Sequence, residues 1–384
     1  MFKDTLGPRR RRAVWAHVGG LLLIGTIIAG CGAPNAAQTS PAAQPTQPAP
    51  TTIPIAASDL EHGLACPNAT GPIVDPIVVN YGADLFSVAA DGGRQTPLTV
   101  LPTINRAYAP AWSPDGQTLA FAFFFSPADP TIAWLPMGMI CGLDRQTGKG
   151  RILARGATPT ESLEEASWTP DGQALLLTVM GYRFNTSNEL TGADTQIARY
   201  DLQTASLTPL VRDASRPALS PDGRQLAFIK LDPLAANIEP VLMVASAAGG
   251  QPRTLLGPER GLRQFDTPRW SPDSQRLLVT ASTVTAGKAP ARSWLATLFG
   301  ASTAAAHGDP ANLWLVSVDG QQVQQVTAAP LDDPHGAWGP AGDQIVYVTT
   351  LGAVVSHDLS TKSERPLTEI GFAGLIDWSW QALK

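Results

Sequence analysis

Four aspartates recur in one local pattern, and their carboxylates are the first candidates for acid–base chemistry in this chain. Asp115, Asp171, Asp222 and Asp273 each follow a Ser-Pro or Thr-Pro pair and precede Gly or Ser. That order is typical of a type I β-turn, in which Pro presets φ and Gly tolerates the exit geometry. Turn formation accounts for these aspartates, so the pattern predicts a structural role for them.

Histidines are the next candidates, but they do not cluster along the chain. Those beyond the N-terminal region are His62, His307, His335 and His357. His335 follows Asp332 and Asp333 closely, and these three side chains could bind a metal ion, although a solvated loop histidine is the commoner case. The motifs Gly-x-Ser-x-Gly, His-Glu-x-x-His and Cys-x-x-Cys do not occur. The sequence therefore predicts no catalytic residue, no metal site and no cofactor, and we expect a protein that is not an enzyme.

The aspartate pattern belongs to a longer repeat that organises the chain. An anchor residue, Trp in most copies, precedes each turn at positions 112, 168, 219, 270 and 338, with separations of 56, 51, 51 and 68 residues. A β-rich run follows each turn, and a second turn joins two further runs. Each unit is therefore predicted to be a four-stranded antiparallel sheet.

Periods of roughly 40 to 50 residues with four strands per unit are typical of propeller blades. The sequence predicts an all-β fold, a six-bladed β-propeller. The last copy, at Asp377-Trp378-Ser379, has only a first strand, whereas residues 77–99 supply only the other three. One blade shared by both termini solves both problems and leaves no open sheet edge.

The Trp-Ser-Pro-Asp-Gly unit followed by an apolar strand resembles the β-propeller repeats of the TolB family, which are related to WD-type repeats. The resemblance covers roughly residues 76–381. It implies the propeller fold and an envelope setting, but it specifies no function. Similar blades also precede peptidase domains in prolyl-oligopeptidase-like enzymes, and no room for such a domain is expected here.

The N-terminus is predicted to direct export. Residues 1–30 combine a basic start with the apolar stretch 21–28, and Ile28-Ala29-Gly30-Cys31 resembles the lipobox of bacterial lipoproteins. The resemblance implies lipidation of Cys31 and anchoring to the extracytoplasmic face of the cell membrane or to the outer membrane. Residues 31–56 are rich in Pro, Ala, Gln and Thr and predict a disordered tether, with the propeller over residues 57–384.

Two further cysteines, Cys66 and Cys141, follow the lipobox. In an exported protein they could form a disulfide, and two free thiols are the alternative. The formal net charge is −5, which argues against nucleic acid as a partner because phosphate binding requires clustered Lys and Arg.

One rim of the propeller is predicted to carry the long connections and therefore to be the binding face. Its candidate binding residues are Arg106, Tyr108, Tyr182, Phe184, Arg263, Phe265, Asp332, Asp333 and His335. The alternative is that these loops only cap the channel mouth. The insertion at 282–310 predicts a short amphipathic helix packed on this rim, or one that touches a partner or a membrane.

Three functions are consistent with these features. The first is a non-catalytic scaffold that binds unknown envelope proteins through the loop-rich rim. The second is a propeller enzyme, a lyase or hydrolase acting on a polysaccharide, which requires histidines or carboxylates converging on the channel. The third is a ligand-sensing lipoprotein.

Overall fold

The computed structural model describes residues 57–128, 131, 135, 137–231, 240–283, 311–327, 334–349, 351–369 and 374–379. The predictions for the signal segment, Cys31 and the tether fall outside these residues. So do those for His307, Asp332, Asp333 and residues 284–310 of the insertion. Among the described residues, no helix has the length and apolar character needed to cross a bilayer.

The described residues form 24 strands, a short helix α1 (Ala57–Glu61) and a 3₁₀ turn at Pro258–Arg260. In the first half of the chain the strands are β1 (Ile77–Tyr81), β2 (Asp84–Val88), β3 (Gln95–Pro97), β4 (Arg106–Trp112), β5 (Thr118–Phe125), β6 (Met137–Asp144), β7 (Gly150–Ala154), β8 (Glu161–Trp168), β9 (Ala174–Phe184), β10 (Leu190–Asp201) and β11 (Ser206–Arg212). In the second half they are β12 (Ala214–Leu219), β13 (Gln225–Leu231), β14 (Pro240–Ser246), β15 (Arg253–Leu256), β16 (Leu262–Trp270), β17 (Arg276–Thr283), β18 (Ala311–Ser317), β19 (Val323–Gln325), β20 (Gly336–Trp338), β21 (Gln344–Val348), β22 (Val354–Asp358), β23 (Glu364–Pro366) and β24 (Ile376–Trp378).

These strands make six four-stranded antiparallel sheets, which confirms the predicted all-β, six-bladed propeller. Blades 1 to 5 are β4–β7, β8–β11, β12–β15, β16–β19 and β20–β23, and blade 6 is β24, β1, β2 and β3. The first strand of each blade lies beside the first strand of the next, and β24 lies between β20 and β4, so the ring closes.

Blade 6 joins the two ends of the chain as predicted. β24 pairs antiparallel with β1, with Trp378 opposite Ile77, Asp377 opposite Val78 and Ile376 opposite Val79. Ile77, Val78 and Val79 of β1 are completely buried. Residues 77–79 of β1 are thereby paired on both sides, and β24 takes the innermost position that the first strand holds in every other blade.

The core lies in layers between neighbouring blades. In one such layer, Ala218 and Val244 of blade 3 pack with Phe265 and Leu277 of blade 4. Alternate residues of a strand point to opposite faces, so each blade contributes one apolar face to each neighbouring layer.

The repeated turn has the predicted geometry. In blade 1 the Gly116 N–H donates to the Ser113 carbonyl at 2.8 Å, and the Ser113 hydroxyl donates to Asp115 Oδ1 at 2.6 Å. That oxygen also accepts the Gln117 N–H at 3.0 Å. The hydroxyl of Ser113 holds the pKa of Asp115 below its usual range. The structural role predicted for the repeat aspartates is confirmed, because the same bonds recur in blades 2, 3 and 4.

The anchor tryptophans join one blade to the next. The indole N–H of Trp168 donates to the Ala111 carbonyl of blade 1 at 3.0 Å, and that of Trp270 donates to the Ala218 carbonyl of blade 3 at 2.8 Å. Trp338 makes the same bond to the Arg269 carbonyl of blade 4 at 3.0 Å, and Trp112 donates to the Pro76 carbonyl, directly before β1 of blade 6, at 3.0 Å. Each tryptophan thus both fills an apolar layer and satisfies its polar group.

The turns and the connections separate onto two rims. Because strand direction alternates, the connections between first and second strands and between third and fourth strands share one rim, which we call the turn rim. The other connections share the opposite rim, called the loop rim. The strand ends that flank residues 126–136, 232–239 and 284–310 belong to second and third strands and therefore lie at the loop rim.

The segment before β1 runs along the outside of the ring from the loop rim to the turn rim. Near the loop rim, the Gly63 carbonyl accepts a hydrogen bond from Arg155, which directly follows β7. Near the turn rim, the Ile73 N–H donates to the Arg145 carbonyl, which directly follows β6. Between them, Cys66 forms a disulfide with Cys141 of β6, with Cα atoms 5.7 Å apart.

The repeated turn of blade 4 has Ser274 at the position where blades 1 to 3 have Gly. Its φ of +60° is unfavourable for a side chain, but its hydroxyl accepts the Asp222 N–H of blade 3 at 3.1 Å. We expect Ser274→Ala to lower the free energy of unfolding by about 1 kcal/mol, since the strain stays and the bond is lost.

The matched control is Ser274→Gly, which also loses the bond but relieves the backbone strain. We expect it to remain close to the wild type in thermal unfolding. Equal losses in both variants would show that the positive φ carries no cost at this position.

Candidate functional site

The candidate site lies on the axis of the ring, where the six first strands face one another. The residues three and four positions before each anchor residue form one layer, which we call the channel waist. They are Tyr108, Ala109, Glu164, Glu165, Ser215, Arg216, Asp266, Thr267, Pro334, His335, Gly374 and Leu375. A cleft lined by waist residues of blades 1, 2, 3, 4 and 6 lies on the axis, and its cavity of about 10 Å³ has room for a single water molecule.

β-Bulges in the first strands of blades 1, 2 and 3 direct the waist residues of these blades towards the axis. The pairing register shifts between Tyr108 and Ala111, between Leu163 and Ala166, and between Ser215 and Ala218. A bulge leaves extra residues unpaired and redirects their side chains. Ala109, Arg216 and Thr267 have φ values of +52°, +58° and +41°. Backbone strain of this kind concentrates at functional sites.

Arg216 is the centre of a charged network that spans three blades. Its Nε atom lies 2.7 Å from Asp266 Oδ1, and its Nη2 donates to Asp266 Oδ2 at 3.3 Å. Its Nη1 contacts Glu165 Oε1 on the other side. The three side chains are largely buried, so their attraction is weakly screened by solvent. The network therefore links blades 2, 3 and 4 through their innermost strands.

Two further carboxyl groups in the channel have strongly raised pKa values. Removal from water raises the pKa of Glu164 to about 7, and the charge of Arg216 opposes this rise. Burial raises the pKa of Asp377 to about 6, opposed by Arg269 and by the Trp112 N–H, which donates to Asp377 Oδ2 at 2.7 Å. Burial also lowers the pKa of Arg269, which Asp377 opposes. Both acids therefore change charge near neutral pH.

Acidic groups outnumber basic ones in this part of the channel. Four carboxyl groups, those of Glu164, Glu165, Asp266 and Asp377, face two guanidinium groups, those of Arg216 and Arg269. Above pH 7 the described channel residues thus carry excess negative charge, which favours a cation. No group of three or more His, Cys, Asp or Glu side chains in the described part of the chain is arranged to hold a metal ion.

The predicted rim residues differ in how far their side chains are exposed to solvent. Arg106 is exposed at the start of β4, Tyr108 lies partly buried in the waist, and Phe184 is partly buried at the end of β9. A binding rim requires accessible side chains, but the other described members are buried: Tyr182, Arg263, Phe265 and His335. β9 and β16 extend further towards the loop rim than the repeat suggests, so Tyr182, Arg263 and Phe265 lie within strands, whereas His335 directly precedes β20. The binding role of the rim itself stays a prediction.

His335, a candidate binding residue of the rim, is buried in the structure. It is only 2% exposed, and its Nδ1 lies 3.0 Å from the Thr267 hydroxyl of blade 4. The side chain thus connects blades 4 and 5 within the waist, where the sequence suggested a solvated loop histidine.

The sequence analysis missed Glu164, Glu165, Arg216, Arg269 and Asp377. The repeats offered a usable signal: these residues lie one, three or four positions before the anchor residue, where most other blades carry uncharged residues. Charged residues at such internal positions of a first strand face the axis. Aligning the repeats on the anchor would have identified them.

Comparison with known proteins defines the class of the fold. No family model matches the chain. The structure is similar to the crystal structure of TolB from Acinetobacter baumannii, with a TM-score of 0.55 and 17% identity, covering 82% of this chain and 68% of that chain. This protein is therefore a six-bladed β-propeller. Its fold is that of TolB, as the sequence resemblance implied.

Two further similarities are to peptidases. The chain is 30% identical over 138 residues to the uncharacterized peptidase YuxL of Bacillus subtilis (strain 168), which covers 35% of this chain and 19% of that protein. The chain thus spans about a fifth of the length of this relative. A puromycin-hydrolyzing peptidase of Mycobacterium tuberculosis is similar with a TM-score of 0.45 and 17% identity, covering 84% of this chain and 56% of that chain.

The expectation that this protein is not an enzyme is contradicted by the relative named as a peptidase. Missing sequence motifs were a weak reason for that expectation, because carboxyl groups assembled from separate blades form no local motif. The channel contains such groups.

The raised pKa values predict an unusual pH dependence of stability. The folded state holds protons on Glu164 and Asp377 at pH values where the unfolded chain has lost them, so stability falls as pH rises from about 4 to about 7. Between about pH 5 and about pH 8, Glu164 should lower the free energy of unfolding of the wild type by on the order of 2 kcal/mol. We expect this decrease to be absent in Glu164→Gln.

Urea unfolding at a series of pH values measures this effect. The matched control is Glu369→Gln, which removes an exposed carboxyl group outside the channel and should leave the wild-type dependence unchanged. Parallel curves for the wild type and Glu164→Gln would contradict the prediction.

Proposed function

We propose that this protein is a β-propeller of the bacterial cell envelope that binds a partner protein at its loop rim, with the channel receiving a positively charged group of that partner. The predicted export signal and the lipobox-like Cys31 support the location and a lipid anchor. The observation that carries the proposal is the unequal charge of the channel, where four carboxyl groups face two guanidinium groups.

Space and charge together limit the ligand. Because the waist has room for about one water molecule, a folded domain or a wide chain does not fit inside it. An ammonium or guanidinium group at the end of an extended segment could approach the acids from the mouth. Walls of low polarizability strengthen the field of the acids. The surrounding loops then contact the rest of the partner.

A pair of short peptides tests this function, Gly-Lys-Gly-Lys and Gly-Glu-Gly-Glu, each carrying a fluorescent label. We expect the cationic peptide to bind in a salt-dependent manner, and to bind several-fold more weakly at about pH 5 than at about pH 8. Protonation of Glu164 and Asp377 removes negative charge from the channel over that range.

Two variants locate the binding. Glu164→Gln should weaken the binding of the cationic peptide several-fold at about pH 8, whereas the control Glu369→Gln should leave the affinity for this peptide unchanged. Equal binding of both peptides, or equal losses in both variants, would remove the support for a cation-binding channel.

The same two acids favour catalysis as a second candidate function. A carboxyl group with a pKa of about 7, such as Glu164, is partly protonated at neutral pH and has the property required of a general acid. The similarity to a protein named as a peptidase suggests peptides as the substrate class.

Release of new amino groups from casein measures this activity. We expect Glu164→Gln and Asp377→Asn each to lower the rate by about a hundredfold or more, because general acid–base catalysis typically contributes about 10²- to 10⁴-fold. A rate that Glu164→Gln leaves unchanged would exclude the channel as the catalytic site.

A further inference from the structure

The guanidinium group of Arg216 is bound by two carboxylates that belong to two different blades. Both oxygens of Asp266 contact it, Oδ1 at 2.7 Å from Nε and Oδ2 at 3.3 Å from Nη2, and Glu165 Oε1 contacts Nη1. The planar fork of a guanidinium matches this arrangement, whereas an ammonium group is a compact charge without that geometry. Glu165 and Asp266 therefore form a guanidinium site, and Arg216 occupies it.

Contacts other than the Arg216 side chain hold this site in place. Asp266 Oδ1 also accepts the Thr267 N–H at 2.7 Å. The backbone N–H of Arg216 donates to Thr178 Oγ1 of blade 2 at 3.1 Å, so its backbone position does not depend on its own guanidinium. Glu165 and Asp266 belong to the first strands β8 and β16, which the closed ring fixes. A guanidinium supplied from elsewhere would thus meet the same acceptors.

The side chain of Arg216 is not sealed within the protein. It is 21% exposed, so its guanidinium remains in contact with the solvent of the channel. The backbone at Arg216 has a φ of +58°, which is unfavourable for a residue with a side chain. Observed strain of this kind supports a functional role for the residue that carries it.

The waist admits one guanidinium group at a time. Its cavity of about 10 Å³ has room for a single water molecule, so a second guanidinium cannot contact Glu165 and Asp266 while Arg216 does. A cation from a partner therefore either stops at Glu164, one residue nearer the loop rim, or replaces Arg216. Only replacement uses the paired acceptors.

We propose that the channel selects an arginine side chain of the partner, whose guanidinium displaces that of Arg216 from Glu165 and Asp266. This inference rests on the cation-binding channel of the proposed function and names its ligand. Arg216 is then an internal competitor: it is tethered beside the acids at a high effective concentration, so free arginine does not displace it. A partner that also contacts the loop rim has the additional affinity that displacement requires.

Fluorescently labelled Gly-Arg-Gly-Arg and Gly-Lys-Gly-Lys are compared on the wild type, Arg216→Gly and Arg269→Gln. Glycine suits the positive φ and leaves the acceptors without their internal ligand. We expect Arg216→Gly to bind the arginine peptide about tenfold or more tightly than the wild type, because a minor state without the internal contact holds about 10% of the molecules or fewer. The matched control, Arg269→Gln, also removes one positive charge from the channel and should strengthen the binding of both peptides by the same factor.

A measurement on the wild type covers the case in which Arg216→Gly does not fold. In protein that contains isotope-labelled arginine, the NMR signal of the Arg216 Nε–H, identified by its loss in Arg216→Lys, reports the bond to Asp266. We expect saturating Gly-Arg-Gly-Arg to move this signal to the position of solvent-exposed arginines, and Gly-Lys-Gly-Lys to leave it in place.

The outcomes separate this inference from the proposed function. Equal gains in Arg216→Gly and Arg269→Gln for both peptides, or an Arg216 signal that the arginine peptide leaves unchanged, would overturn the displacement and leave the cation-binding channel intact. Binding of neither peptide to the wild type or to Arg216→Gly would contradict the proposed function itself.

Discussion

The pairing of β24 with β1 is the constraint on which the rest of this structure depends. Three residues of the last described strand supply the first strand of blade 6, and without them β1 would expose a row of unpaired backbone groups to the channel. Closure fixes the number of blades and therefore the width of the ring. The width in turn decides how near Arg216 lies to Glu165 and Asp266. The charged network is thus a consequence of closure as well as of residue type.

Most of the fold could be predicted from the sequence, because its causes are local and repeated. The Ser-Pro-Asp-Gly order encodes a turn whose hydrogen bonds join residues at most five positions apart, as at Ser113 and Thr118. The shared blade was also predictable, since Trp378 and Val78 belong to complementary fragments of one unit. The burial of Tyr182 and Phe265 was not predictable, because it depends on how far β9 and β16 extend beyond the length of the repeat.

The channel was less accessible to sequence reasoning. Arg216 and Asp266 are 50 residues apart and meet only because neighbouring blades bring their first strands together. Ala109 and Arg216 adopt a positive φ in the bulges that turn them towards the axis. A positive φ is usually indicated in a sequence by Gly, and neither position has one. Raised pKa values at Glu164 and Asp377 follow from burial in that narrow space. A feature of this kind arises from tertiary structure, and it links the fold to both proposed functions.

The disulfide between Cys66 and Cys141 also decides how the ring responds to mechanical load. A pull on the chain before Cys66 passes through the covalent bond into β6, the third strand of blade 1. The hydrogen bonds between β1 and β24 lie beyond that bond along the chain, so they are shielded from the force. Tension applied to the chain before Cys66 is therefore borne by a covalent link, and the β1–β24 hydrogen bonds that close the propeller do not carry it.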